Sequence, residues 1–415
     1  MISFRPPFSR FTRTCLLGGL LLSSLAFASS ARAAELTPQC ALRVEGKNLV
    51  DATGKTVVLR GVNIGGWLVT EGWMNGQTDS GDRWAIEQLE ARFGTEKADT
   101  LMNAWFDNWF TTKDLDVIES WNFNLIRVPF GYRTLQNADG SWKRNAQGEI
   151  NFARMDWVVS EAAKRGIYVI FDFHIWPGQK ANYGNISRLN PAAVAERAQV
   201  AEIWSEVAKH YRGNATIAGF DVINEPEGSP NDTLQRVMLE AIRAQDSDRI
   251  VIGESQSYAN FKDPYWKNTM YSAHYPGDDI QGSETGKIEG SATEKIKKWE
   301  QAVGIAANPA VQVPVFIGEL KAPQDNAESA QQYVAALNKR GWSWAVWTYK
   351  TVDMGGWGAF NYYTEMRYDL SKDSYESLLD KWSNGLIQWQ DPTKPKNFYW
   401  NDWWIEGFKK GASAK

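Results

Sequence analysis

Short β-rich runs alternate with amphipathic stretches of helical length over most of the chain, and this alternation restricts the fold more than any other feature. The strand candidates are Val57–Val62, Asn124–Pro129, Tyr168–Phe173, Ala218–Ile223, Ile250–Gly253, Met270–Ala273, Val313–Gly318 and Trp342–Trp347. Helical patterns lie between them at Met155–Arg165, Ala192–Tyr211, Thr233–Ala244, Ala292–Val303 and Glu328–Lys339. Strands separated by crossovers of that length pair in parallel, with helices covering the sheet. Their count and spacing point to an α/β fold of the (β/α)8 TIM-barrel type rather than an open doubly wound sheet. No Gly-rich dinucleotide turn follows the first strand. Ahead of the barrel, Arg43–Leu59 reads as a short N-terminal β-hairpin turning at Ala52-Thr53-Gly54-Lys55. The fifth and sixth units carry the weakest pattern.

Residues 1–33 stand apart from this alternation. Arg5, Arg10 and Arg13 precede an apolar run from Cys15 to Ala28, and Ala31-Arg32-Ala33 then offers a small-residue cleavage site. That is the layout of a secretory signal peptide. The run is short for a bilayer span, so no membrane span is expected in the mature protein, which is expected to be secreted or periplasmic. Removing residues 1–33 takes away four arginines and no acids, moving the formal charge from −4 to −8. An acidic chain without a basic block argues against nucleic acid or an anionic membrane surface as a partner. Cys40 becomes the only thiol, which excludes an internal disulfide, and no Cys/His metal spacing is present. No linker or repeat interrupts residues 41–415, so residues 34–415 read as a single catalytic barrel domain, expected to be a monomer.

Barrels of this type place their chemistry at the C-terminal ends of the strands. There the sequence puts Arg127 in strand two, Asp172 and His174 in strand three, Asn224-Glu225-Pro226 after strand four, His274-Tyr275 after strand six, Glu319 at strand seven and Trp347 at strand eight. Glu225 and Glu319 close strands three apart, so their carboxyls can face each other across the mouth. Glycoside hydrolysis needs that pair: one acid to protonate the leaving oxygen, one carboxylate on the other side of the sugar. A lone Glu after a strand is as often a cap or loop residue. Arg127 is less ambiguous, because an arginine inside an apolar strand cannot deprotonate and needs a carboxylate; Glu319 is the candidate. Asn224 stands where it can donate to a sugar 2-hydroxyl. Asp172 reads as a buried partner orienting His174, and His210 as structural. Twenty-one tryptophans, all after residue 66, favour carbohydrate only weakly, since a large barrel also buries many aromatics. The Trp400, Trp403 and Trp404 group is expected to pack the last segment onto the barrel.

At these residues the chain resembles glycoside hydrolase family 5, from about Leu42 to Trp382. Leu59-Arg60-Gly61-Val62-Asn63-Ile64-Gly65-Gly66-Trp67-Leu68-Val69 is similar to the first strand of its exo-1,3-β-glucanase branch. Asn224-Glu225-Pro226 resembles the family's acid/base motif, and Gly318-Glu319 its nucleophile. The resemblance implies that Arg127, His174, His274 and Trp347 line the subsite of the attacked sugar, and that Glu71 contacts it. The family usually carries His-x-Tyr at strand six, its Tyr touching the nucleophile, whereas His274 and Tyr275 are adjacent. Either that loop is one residue shorter or Tyr275 plays another part. Leu320 replaces a Trp common in the fungal glucanases, and Lys350–Gly358 forms a Gly- and Trp-bearing loop placed to wall the cleft.

The expected function is therefore a retaining β-glycoside hydrolase cleaving β-1,3- or β-1,4-linked glucan, with no cofactor and no metal. Mannan, a glycolipid glucoside, or a non-catalytic glycan-binding barrel are the alternatives. A metal-dependent hydrolase would want more than three histidines in the chain. N-terminal sequencing of protein from the extracytoplasmic fraction is expected to begin near Ala34; an intact Met1 in the active form contradicts the signal-peptide reading.

Overall fold

The computed structural model describes residues 41–79, 84–178, 191–226, 233–255, 257–277, 290–386 and 398–413. The expected signal sequence and Cys40 lie outside them. Three short antiparallel strands come first: β1 (Arg43–Glu45), β2 (Asn48–Val50) and β3 (Thr56–Val57). The expected two-stranded hairpin is thus a three-stranded meander, because Gly46, in the left-handed region at φ 58°, makes a second tight turn. The expected strand Val57–Val62 divides here, its first residue closing the meander and its end entering the barrel.

Eight parallel strands close that barrel: β4 (Arg60–Asn63), β5 (Leu125–Gly131), β6 (Tyr168–Ile175), β7 (Ile217–Asp221), β8 (Val251–Glu254), β9 (Thr269–His274), β10 (Val315–Leu320) and β11 (Ser343–Val346). Neighbours in sequence are neighbours in the ring, and β11 returns to β4 through Trp344 opposite Arg60. Helices Ala153–Lys164, Pro191–His210, Thr233–Gln245, Ala292–Ala302 and Ala327–Asn338 lie between strands, within two residues of their expected bounds. Their starts are locally encoded. Ser291 and Glu294 form a capping box, and the Asn326 side chain accepts from the Ser329 amide. Between β8 and β9 the described residues carry two 3-10 turns, Tyr258–Lys262 and Pro264–Trp266, in place of an α-helix. Pro264 and the dense aromatics of that stretch explain its weak helical pattern.

Period-two alternation divides the barrel interior into layers. Leu125, Ile170, Ala218, Ile252, Met270, Phe316 and Ala345 share one apolar cluster with Leu49 of the meander, which closes the N-terminal end. Two residues further along their strands stand Arg127, Asp172, Glu254 and Ser272, and two further again His174 and His274. The interior therefore changes from dry to polar within one step of the pleat. Register shifts in β10 around Gly318 turn Glu319 to the same side.

Most tryptophans are structural. Among the described residues fourteen of the 21 are buried, and Trp67, Trp105, Trp109, Trp204, Trp266, Trp344, Trp382 and Trp404 are under 2% exposed, so most of the Trp excess packs the core. Trp105 and Trp109 stack at 4.5 Å and donate their indole N–H groups to the Gly66 and Gly65 carbonyls. Gly66 has φ 79°, and a Cβ there would meet the Trp109 ring at 2.9 Å. Only glycine lets that loop lie on the ring pair. Beyond β11, strands β12 (Lys350–Val352), β13 (Phe360–Tyr362) and β14 (Phe398–Trp400) form a second small sheet. It is tied to the barrel flank by the fully buried Lys350–Asp114 pair at 2.7 Å. The C-terminal helix Asp402–Ser413 packs as expected, with Trp404 buried against Trp121 and Phe408. His210 stacks on Phe152 and bonds Asp156, a structural role. No described helix is long and apolar enough to cross a membrane.

Candidate active site

The C-terminal mouth of the barrel gathers the strand-end residues around one guanidinium. Arg127 is completely buried. Its Nη1 donates to Glu319 Oε1 at 3.0 Å and Asn63 Oδ1 at 2.9 Å, its Nε to Asp221 Oδ2 at 2.9 Å, and its Nη2 to Asn224 Oδ1 at 3.0 Å. Asp172 Oδ1 lies 3.1 Å from Nη2. Burial opposes the Arg127 charge, but the Asp172, Asp221 and Glu319 carboxylates outweigh it and raise its pKa further. The expected partner Glu319 is present, but it shares the cation with two aspartates.

Tyr275 Oη donates to the second Glu319 oxygen at 2.8 Å, and the Tyr275 amide bonds the Glu319 carbonyl at 2.9 Å. Adjacency to His274 does not keep the ring away, because Tyr275 adopts a left-handed backbone at φ 44°. One residue of αL conformation does the work of the missing spacer. Glu319 is buried at 4% exposure, and burial, with the Glu225 charge, leaves its pKa raised although His274 and Arg127 pull it down.

Glu225 sits beyond β7, also left-handed at φ 44°. Its side chain is 32% exposed, turned toward the mouth, and its Oε1 lies 3.0 Å from His274 Nδ1. Its pKa is pushed up to about 7, first by burial, then by the Glu71 and Asp172 charges, against His174 and Arg127. Burial leads this shift. One oxygen each of Glu225 and Glu319 and a ring nitrogen of His274 lie within 4.8 Å of one another.

The two histidines hold opposite charge states. His174 donates from Nδ1 to Asp172 Oδ2 at 2.7 Å and from Nε2 to Glu71 Oε1 at 3.2 Å. Burial disfavours its cation, but Asp172 and Glu71 raise its pKa well above the usual value. Its ring stacks on Trp347 at 5.5 Å and 9°, and Trp347 is 2% exposed. His274, by contrast, is pushed down to about 4 by burial, Glu319 opposing and Arg127 assisting, and is neutral. Glu71 also accepts from the Trp73 indole at 2.7 Å. Trp73, 41% exposed, meets Trp357 of the loop after β11 edge-on at 5.3 Å, and Trp357 in turn approaches Tyr275 at 6.3 Å.

Glu225, His274 and Glu319 form the one grouping of potential metal ligands among the described residues. As a cation site it is poorly suited, since Arg127 already pairs with Glu319 and Glu225, its pKa raised to about 7, carries only part of a charge at neutrality. Asn63, Asp221 and Glu254 were not singled out from the sequence. Asp221 and Glu254 carried a partial signal, an acid in an otherwise apolar run, Gly219-Phe220-Asp221-Val222 and Ile252-Gly253-Glu254. Asn63, neutral and next to a loop, carried little.

Residues 50–353 match the model of the cellulase family, glycosyl hydrolase family 5. The chain belongs to glycosyl hydrolase family 5. Among curated relatives in this family's range, a β-xylosidase of Phanerodontia chrysosporium is 27% identical over 347 residues, covering 76% of this chain and 72% of that one. A probable glucan 1,3-β-glucosidase A of Aspergillus niger is 25% identical over 287 residues, covering 64% and 65%. Other glucan 1,3-β-glucosidases match over about half their length. A solved endogalactoceramidase shares the fold at a TM-score of 0.54 and 17% identity, covering 83% of this chain and 84% of that one. Family 5 membership and the barrel thus agree.

Arg127→Met leaves Asp172, Asp221 and Glu319 without their shared cation and is expected to cost roughly 3–5 kcal/mol of folding stability at pH 8. Without it the folded pKa values of these acids rise above their unfolded values, so the folded state binds more protons. Stability of the variant should then fall as pH rises from 5 to 8, on the order of a few kcal/mol, and the deficit should be smallest at pH 5. Urea unfolding at both pH values measures this; a deficit independent of pH contradicts it.

Proposed function

We propose that this family 5 protein is an exported, retaining β-glycoside hydrolase acting on β-linked glucan, with Glu319 as nucleophile and Glu225 as acid/base. The observation that carries the reading is the pair of facing carboxyls, one oxygen of each within 4.8 Å of the other, one held between Arg127 and Tyr275, the other with its pKa raised to about 7 at the open edge. Retaining enzymes hold their carboxyls about 5–5.5 Å apart, close enough for direct attack and too close for an intervening water. Glucan is favoured by the glucan 1,3-β-glucosidase relatives, and export by the N-terminal pattern at residues 1–33.

In the first step a Glu319 oxygen bonds to the anomeric carbon, and the glycosidic C–O bond breaks. The proton of Glu225 passes to the departing oxygen, leaving Glu225 as carboxylate. Tyr275 and Arg127 each hold one oxygen of the Glu319 carboxylate beforehand and fix it for attack. In the second step Glu225 takes a proton from water, whose oxygen bonds to the anomeric carbon as Glu319 leaves. Asn224, its carbonyl taken by Arg127, keeps its Nδ2 hydrogens for the sugar 2-hydroxyl, a contact that strengthens as charge develops on the ring. Glu71, His174 and Trp347 form the remaining wall, and Trp347 the surface beneath the sugar.

Two measurements check these roles, on a panel of glucan, mannan and glycoside oligomers. Glu225→Ala should still be glycosylated by an activated aryl glycoside and be rescued by azide with retention, while doing almost nothing to an unactivated oligosaccharide. Glu319→Ala should stall on both substrates and give the inverted glycosyl azide; the opposite stereochemistry would falsify the assignment. In the wild type, kcat/KM on the oligosaccharide should fall as pH rises through about 7, where Glu225 loses its proton. A profile flat well above neutrality means that another group supplies it.

A further inference from the structure

The Glu225 amide lies past the end of the β7 ladder, where no strand neighbour offers it a carbonyl. It is satisfied instead by a side chain from the next strand, Glu254 Oε2, at 2.9 Å. Glu254 ends β8 and is itself fixed on both sides by the buried Gln235. The Gln235 Oε1 accepts from the Glu254 amide at 3.2 Å, and its Nε2 donates to the Glu254 carbonyl at 3.0 Å. A left-handed backbone at a residue with a side chain persists only where its surroundings hold it. Here that hold is a carboxyl oxygen standing on a clamped main chain.

The same carboxyl also faces the other end of Glu225. Its Oε2 lies 3.7 Å from His274 Nε2, a buried nitrogen without a hydrogen-bond partner, and His274 Nδ1 meets the Glu225 carboxyl at 3.0 Å. Glu254 thus touches the main chain of Glu225 directly and looks at its carboxyl across one imidazole. The other ionisable groups that act on it are Asp221 and Arg127 on the β5–β7 side and Tyr271 on β9.

Resting on the assignment of Glu225 as acid/base, we infer that Glu254 is its positioning residue, fixing the backbone from which the acid reaches the leaving oxygen. Burial and the charges of Glu225 and Asp221 raise the Glu254 pKa well above the usual carboxylate value. The bond to the Glu225 amide needs only a side-chain oxygen at this place, which glutamine also offers.

The test compares Glu254→Ala and Glu254→Gln on aryl glycosides of graded leaving-group ability and on an unactivated oligosaccharide, with Glu225→Ala alongside. Glu254→Ala should lose roughly ten- to a hundredfold on the oligosaccharide, part of the 10²–10⁴ that a positioned acid supplies, and stay within a few-fold of wild type on the most activated aryl glycoside. Glu254→Gln should recover most of the loss and keep the alkaline limb of the pH profile near that of wild type. Equal loss on good and poor leaving groups, or loss on neither, overturns the inference, as does a glutamine variant no better than alanine. If Glu225→Ala itself hydrolyses the oligosaccharide, the acid/base assignment falls first. If Glu225→Ala behaves as an acid knockout and Glu254→Ala does not, only the positioning role falls.

Discussion

The strand-end acids of this barrel are arranged around the buried Arg127 guanidinium. Arg127 donates hydrogen bonds to β4, β7, β10 and the Asn224 turn and pairs by charge with Asp172 on β6. It therefore fixes how the inner faces of those strands meet, as well as neutralising what they carry. One cation cannot balance Asp172, Asp221 and Glu319 together, so the rest of the charge settles by proton uptake. Asp172, also held by His174, goes down in pKa, while Asp221 is pushed up to about 7 by burial and by Asp172 itself. A guanidinium suits this position because it cannot give its own proton away.

The same logic separates groups that look alike in the sequence. His174 and His274 both occupy inward-facing strand positions, yet one is raised in pKa between Asp172 and Glu71 and the other kept neutral by burial, with Arg127 assisting. Glu225 and Glu319 differ likewise: one is anchored at both oxygens, the other bonded to a single imidazole and open to solvent on one side. Chemical division of labour here comes from neighbours, not from residue type.

The ring of strands was legible because parallel strands buried on both faces leave near-continuous apolar runs, and the helices between them announce themselves by periodicity and caps. Arg127 was legible for the converse reason, as an expensive residue in such a run. What stayed hidden depends on single backbone conformations or on charge balance. Nothing in His274-Tyr275 states that Tyr275 will be left-handed, and this decides whether its hydroxyl reaches Glu319. The second turn at Gly46 and the 3-10 crossover before β9 were lost for similar reasons, being local departures within otherwise ordinary patterns. Asp221 and Glu254 needed the registers of β7 and β8 before their inward placement could be read.

The apolar layer beneath Arg127, packed against Leu49 of the meander, floors the barrel interior. Whatever reaches the acids and imidazoles above that floor must therefore arrive and depart by the same end of the barrel, so the route in is also the route out.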